Sequence, residues 1–134
     1  MKNRIIVAAV ALLAVFLVGF IPEYVRANRL ENQLQQARQS AAGAELRDLI
    51  ALAYVQASQK NYGLAAETST RFFDRARETA GQEQDAGRQK ALNGLLAPRD
   101  SVTAALATGD AAVMNDLQQL FLKTRQATGS SSAP

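Results

Sequence analysis

Residues 5–21 read IIVAAVALLAVFLVGFI and contain no charged side chain. Two basic residues, Lys2 and Arg4, precede this apolar run, and Pro22 follows it. As a helix, the run is about 25 Å long, which is at the short end of what crosses a bilayer. The sequence therefore predicts a transmembrane signal anchor over residues 5–22.

Two interpretations of the apolar run stay open. It remains in the chain as an anchor, or a signal peptidase removes it after Ala27. The run is longer than the roughly 7–15 apolar residues of a cleaved signal, which favours the anchor. Residues 1–4 resemble the n-region of an export signal, so we expect them in the cytoplasm. This predicts a bacterial inner (cytoplasmic) membrane protein, single-pass and largely periplasmic; the alternative is secretion after cleavage near Ala27.

The composition of the whole chain argues against several classes of function. The 134 residues include 15 Lys and Arg against 12 Asp and Glu, a net charge of +3. A nucleic-acid partner is not expected, because the sequence has no clustered basic face. The chain has no Cys, so it has no thiol nucleophile and no thiolate metal site. It also has no His, the commonest general base and transition-metal ligand. The sequence therefore predicts no enzyme, no metal and no cofactor.

After the apolar run, residues 23–43 form a predicted stalk helix with a narrow apolar seam. The seam has the 4, 3, 4, 3 spacing of coiled-coil core positions and consists of Leu30, Leu34, Ala37, Ala41 and Ala44. Two interpretations are open. The stalk rests this stripe on its own domain, or a second chain packs there and makes the protein a homo-oligomer through the stalk.

Residues 44–128 carry helix-period apolar stripes and no strand-period alternation. The clearest stripe follows i, i+4, i+7, i+8 and i+11 near the C-terminus: Val113, Leu117, Leu120, Phe121 and Thr124. The fold class is therefore all-α, with an antiparallel bundle of four to five helices over residues 44–128. Residues 129–134 form a predicted disordered tail.

Gly, Pro and Asn mark the expected helix ends. We expect Gly43 to weaken or kink the first helix, and Pro98 to stop a later one. Asp100 or Ser101 is the expected cap of the helix after Pro98, and Asp110 that of the last helix. The polar segment 81–87, GQEQDAG, predicts a loop or a solvated helix end.

The joint after the second helical run resembles that of a tetratricopeptide repeat. The matching residues are Leu49, Leu52, Ala53, Tyr62 and Ala65, with Asn61-Tyr62-Gly63-Leu64-Ala65 as the inter-helix joint. The resemblance covers residues 49–65, about half of one repeat, and Phe72 stands where the family has a small residue. The resemblance implies a helical hairpin with a protein-binding surface, and it carries over no peptide site.

Candidate partner-binding residues come from the seam, the joint and the following helix: Leu30, Leu34, Tyr62, Arg71, Phe73 and Arg75. Phe72 and Phe73 are adjacent, so their rings point about 100° apart on a helix. Either both rings fill the core, or Phe73 contacts a partner. Arg71 and Arg75 either bind an anion or lie on a solvated face balanced by nearby acids.

These observations favour a membrane-anchored helical scaffold or adaptor, an accessory subunit that docks onto another membrane or periplasmic protein. The first alternative is an extracytoplasmic ligand-sensing helical bundle, which resembles bacterial receptor domains in layout. The second is a short coiled-coil bitopic assembly protein. The expected partners are the lipid bilayer, another envelope protein and, through the stalk, a second copy of the chain.

Overall fold

The computed structural model describes residues 2–129, apart from the side chains of Lys2 and residues 18–23. The chain forms five helices in this part, and no strand occurs in it. Their bounds are α1 Lys2–Ser58, α2 Tyr62–Gln82, α3 Ala86–Gly94, α4 Arg99–Thr108 and α5 Val113–Thr128. The predicted all-α fold class is confirmed. The predicted tail after Gly129 lies outside the described residues.

The chain divides into two compact units at Arg38 and Gln39. The N-terminal unit, Met1–Arg38, consists of the first part of α1 in the region that the structure describes. The C-terminal unit, Gln39–Pro134, contains the last part of α1 and the four other helices. The sequence predicts the helical bundle over residues 44–128, which lie within this second unit.

Within the described residues, no helix combines the length and the apolarity that a membrane span needs. The predicted span over residues 5–22 includes residues 18–22, whose side chains lie outside the described set. The transmembrane segment therefore stays a prediction.

Gly43 lies inside α1, which continues through the residue where the sequence predicts a weakened or kinked helix. A glycine in a helix interior costs about 1 kcal/mol relative to alanine, which is why the sequence indicates a weak point. Gly43 is buried, and a Cβ at this position would lie 3.1 Å from Thr128 Cβ of α5. The absence of a side chain lets α1 approach α5 closely.

One apolar stripe from each helix builds the core of the C-terminal unit. In α1 and α2 the stripes repeat every three to four residues, so successive members point the same way. The buried apolar side chains among the described residues are Leu46, Leu49, Ile50, Ala53, Ala57, Ala65, Phe72, Phe73, Ala76, Ala80, Leu92, Leu95, Val102, Leu106, Val113, Leu117, Leu120 and Ala127. Helix α2 packs against α3 and α4, and both of these also pack against α5.

A tight turn joins α1 to α2 at the predicted position. Lys60 adopts a left-handed conformation with φ 61°, and α2 begins at Tyr62. Salt bridges and hydrogen bonds pair residues that lie progressively further from this turn on both helices. Arg75 contacts Glu45, and Glu83 contacts Gln39, so the two helices run antiparallel.

The helix caps differ in part from the expected ones. The N-cap of α4 is Pro98 without a side-chain hydrogen bond, so the predicted caps Asp100 and Ser101 are corrected. Val102 N already donates to Pro98 O at 3.0 Å, so the helix begins before Asp100 and Ser101. The N-cap of α5 is Ala112 without a side-chain hydrogen bond, so the predicted cap Asp110 is also corrected. Asp110 Oδ1 instead accepts a hydrogen bond from Ala112 N at 2.9 Å in the turn before α5.

Candidate protein-interaction surfaces

Large apolar side chains cover the first part of α1 and are exposed on every side of the helix. Ile5 is 69% exposed, Leu12 is 73% exposed, and Leu17 is 50% exposed. The same exposure holds for Ile6, Val7, Val10, Leu13, Val15 and Phe16. Consecutive helical residues are 100° apart, so these positions leave no polar face. This surface is suited to an apolar environment.

The stalk seam is exposed as well. Leu30 and Leu34 have exposed fractions of 69% and 52%. Ala37 and Ala41 are also exposed, and Ala44 is half-buried. The two leucines, which the sequence proposed as partner-binding residues, are therefore accessible to a partner.

Tyr62 opens α2 and is only half-buried, with its ring packed against the core. It lies over Gly109, the residue that ends α4 with φ 65°. A Cβ on Gly109 would come within 3.3 Å of the Tyr62 ring. Tyr62 therefore fixes the turn between α4 and α5 to the start of α2, and only part of its ring is accessible.

Arg75 is held by two carboxylates. Its Nε lies 2.7 Å from Glu45 Oε2, and its Nη1 lies 2.8 Å from Glu78 Oε2. The hydrogen bond with Glu78 is the main cause that raises the pKa of Arg75, and Glu45 adds to it. Glu45 lies on α1, so its salt bridge with Arg75 links α1 to α2. Because two carboxylates already balance its charge, Arg75 is poorly placed to bind an external anion. Arg71 is exposed on α2.

Phe73 is 1% exposed and forms an edge-to-face contact with Phe72, with 5.2 Å between the ring centroids. Both aromatic rings therefore fill the core. The predicted contact of Phe73 with a partner at the surface is corrected, because the core is wide enough for two rings. Such pairs are favourable by about 0.5–1.5 kcal/mol beyond the area that they bury.

The C-terminal unit has an exposed apolar pair that the sequence did not single out. Leu52 and Val55 of α1 are 46% and 45% exposed. They are three residues apart and so share one face of the helix, whereas Ile50 and Ala53 point into the core. The sequence did carry a signal for this pair, because Leu52 and Val55 are apolar residues outside the core stripe of α1. Leu52 was instead assigned to the repeat-like pattern.

A buried carboxylate joins α1, α2 and α3 at the far end of the hairpin. Glu83 is 7% exposed, and its Oε1 accepts hydrogen bonds from Gln39 Nε2, Gln84 N and Asp85 N at 3.3, 3.0 and 3.1 Å. Its Oε2 lies 3.2 Å from Arg88 Nε. All of these contacts are internal, so the cluster holds the fold together and presents no reactive group.

The described residues contain no group of three or more acidic side chains arranged to hold a metal ion. Comparisons with protein-family models, with characterised proteins and with solved structures give no match to this chain. The exposed apolar features of the described residues are the first part of α1, the stalk seam and the Leu52–Val55 pair.

Proposed function

We propose that this chain is a membrane-anchored helical adaptor. The first part of α1 inserts into the cytoplasmic membrane, and the C-terminal unit docks onto another envelope protein. The proposal includes no catalytic step, metal or cofactor. The single observation that carries it is the exposure of apolar side chains on every side of α1 between Ile5 and Leu17.

The magnitude of this exposure supports insertion into lipid. Removal of one Val, Leu, Ile or Phe side chain from water gives about 1.5–3 kcal/mol. Nine such side chains are exposed between Ile5 and Leu17. Their transfer into a bilayer therefore gives on the order of 14–27 kcal/mol, which is an upper estimate. A helix satisfies its own backbone hydrogen bonds, which a lipid environment requires.

The flanking residues suit this placement. Lys2 and Arg4 precede the apolar run and favour an N-terminus in the cytoplasm. Tyr24 is 67% exposed directly after the run, where aromatic side chains commonly lie at the lipid–water interface. The C-terminal unit then lies on the periplasmic side.

The Leu52–Val55 pair is the surface of the C-terminal unit that we propose for docking. Two half-exposed apolar side chains make a small contact, well below the roughly 800 Å² per partner of a standard stable interface. Confinement of both proteins to one membrane raises their effective concentration, so a weak contact is sufficient. The expected partner presents an apolar groove or helix face at the membrane surface.

Pull-down of the tagged full chain from detergent-solubilised membranes tests the proposal. We expect a stoichiometric envelope protein that is retained by the native chain and lost with the Leu52→Ser, Val55→Ser double variant. Leu122→Ser is the matched control, because Leu122 of α5 is 49% exposed on another helix. Recovery of the native chain without a partner, or equal retention by all variants, would contradict the docking role.

A further inference from the structure

The stalk part of the N-terminal unit has a self-complementary surface. Ala27, Leu30, Leu34 and Ala37 are spaced 3, 4 and 3 residues apart, and all four are exposed. We call these four residues the stalk seam core. Leu30, Leu34 and Ala37 belong to the stalk seam described above, and Ala27 extends it toward the N-terminus. In a heptad written a to g they take the positions a, d, a and d, which face the partner helix in a coiled coil.

The residues that flank the stalk seam core carry opposite charges. Arg26 occupies a g position and Glu31 the following e position, and both are exposed. In a parallel two-stranded coiled coil, each g side chain faces the e side chain five residues later on the other helix. The next such pair is Gln33 with Arg38, which brings no like charges together.

We propose that a second copy of this chain covers the stalk seam core and forms a parallel two-stranded coiled coil. Arg26 of each copy then pairs with Glu31 of the other, and the two-fold symmetry makes this contact twice. An antiparallel pair sets g against g and e against e, which removes both Arg26–Glu31 contacts. The charge pattern thus selects the second copy and its direction.

The remaining positions fit an exposed outer face. Asn28, Arg29, Asn32 and Gln36 are polar and exposed, and they occupy the b, c and f positions. The coiled coil is only about two heptads long, so a high local concentration is needed to populate it. The proposed membrane anchor supplies that concentration. The register rests on the apolar spacing and the charges, and it is independent of docking to another protein.

Single-cysteine crosslinking of the full chain in native membranes tests this inference. The chain has no Cys, so an introduced thiol is the only one on this protein. We expect Ala37→Cys, in the stalk seam core, to form a disulfide-linked dimer under mild oxidation. Asn32→Cys, on the outer face of the same helix, is the matched control and stays monomeric. Equal crosslinking at both positions, or none at position 37, would overturn the proposal.

Charge reversal in the Ala37→Cys background tests the register. Arg26→Glu turns two attractions into two repulsions, and we expect about three- to tenfold less crosslinked dimer. Glu31→Arg has the same effect, and the Arg26→Glu, Glu31→Arg double variant restores the native yield. Unchanged yields in the single variants, or no rescue in the double variant, would refute the parallel register. Retention of all variants in the membrane fraction separates this outcome from loss of the anchor.

Discussion

Arg47 of α1 donates two hydrogen bonds from Nη1 to Thr128, the last residue of α5. The distances are 3.2 Å to the carbonyl oxygen and 2.8 Å to Oγ1. The carbonyl groups in the last turn of a helix lack intrahelical partners, so a cation there satisfies them and interacts favourably with the helix dipole. This contact fixes the end of α5 to the first helix of the C-terminal unit.

Arg47→Ala should lower the free energy of unfolding of the C-terminal unit by about 1–3 kcal/mol, because the carbonyl oxygen and Oγ1 of Thr128 lose their charged donor. Denaturant unfolding of the full chain in detergent, followed by circular dichroism, measures this change. Arg71→Ala is the control on an exposed site, with an expected change within about 0.5 kcal/mol. Equal stability of the two variants would show that the cap is not formed.

Gly43→Leu should destabilise the same unit by about 1–3 kcal/mol, because the new side chain overlaps Thr128 and forces α1 away from α5. Gly81→Ala is the matched control, since a Cβ there meets nothing within 4 Å and lies inside α2. It should raise stability by about 0.5–1 kcal/mol through helix propensity. Thermal melts of both variants distinguish the effect of close packing from that of helix propensity. An increase in melting temperature with Gly43→Leu would contradict the close approach of α1 and α5.

Glu83→Ala should destabilise the C-terminal unit by about 2–4 kcal/mol, because the amides of Gln84 and Asp85 lose a buried acceptor and Arg88 loses its ion-pair partner. Glu83→Gln keeps one carbonyl acceptor and should lose less. Hydrogen exchange reports the change locally, with faster exchange expected at the amides of residues 84 and 85. Protection that is equal in the native chain and in Glu83→Ala would argue against this cluster.

Ser69→Ala should stabilise the chain by about 0.5–2 kcal/mol. Ser69 is 1% exposed, and its Oγ has no hydrogen-bond partner among the residues described. Thr124→Val is the contrasting variant, because Thr124 Oγ1 donates to Leu120 O at 2.7 Å and is also buried. It should destabilise by about 1 kcal/mol. Denaturant unfolding measures both changes, and opposite signs of the change in unfolding free energy support the unpartnered Ser69 Oγ and the Thr124 hydrogen bond. A loss of stability in Ser69→Ala would contradict the assignment of Ser69.

The core stripes could be predicted from the sequence because helix period alone determines which residues share a face. Leu46 and Ile50 of α1, and Leu117 and Leu120 of α5, are buried as the 3.6-residue period predicts. The turn near Asn61 could also be predicted, because it depends on the turn-forming residues at that point of the sequence. These features depend on neighbours within a few residues, so one sequence is sufficient to find them.

Features that depend on distant residues could not be predicted. In the sequence alone, Gly43 indicates a weak helix, because its close approach to Thr128 is visible only in the fold. Glu83 lies in a polar segment that is typical of a solvated loop, and its burial requires Gln39 from another helix. Phe73 could lie inside or outside, and the width of the core decided it. The partner-binding surfaces stay predictions, since the exposure of Leu30 and Leu34 shows access alone.

The central claim is that the apolar part of α1 lies in a membrane, and alkaline carbonate extraction of the expressed full chain tests it most directly. We expect the native chain to stay in the membrane pellet, as an embedded helix does. Leu12→Asp with Val15→Asp should move it to the supernatant, because a charged residue near the centre of a spanning helix costs about 2.5–3.5 kcal/mol. Gln33→Asp with Gln36→Asp, in the polar stalk, should leave it in the pellet. Release of the native chain into the supernatant would contradict the account.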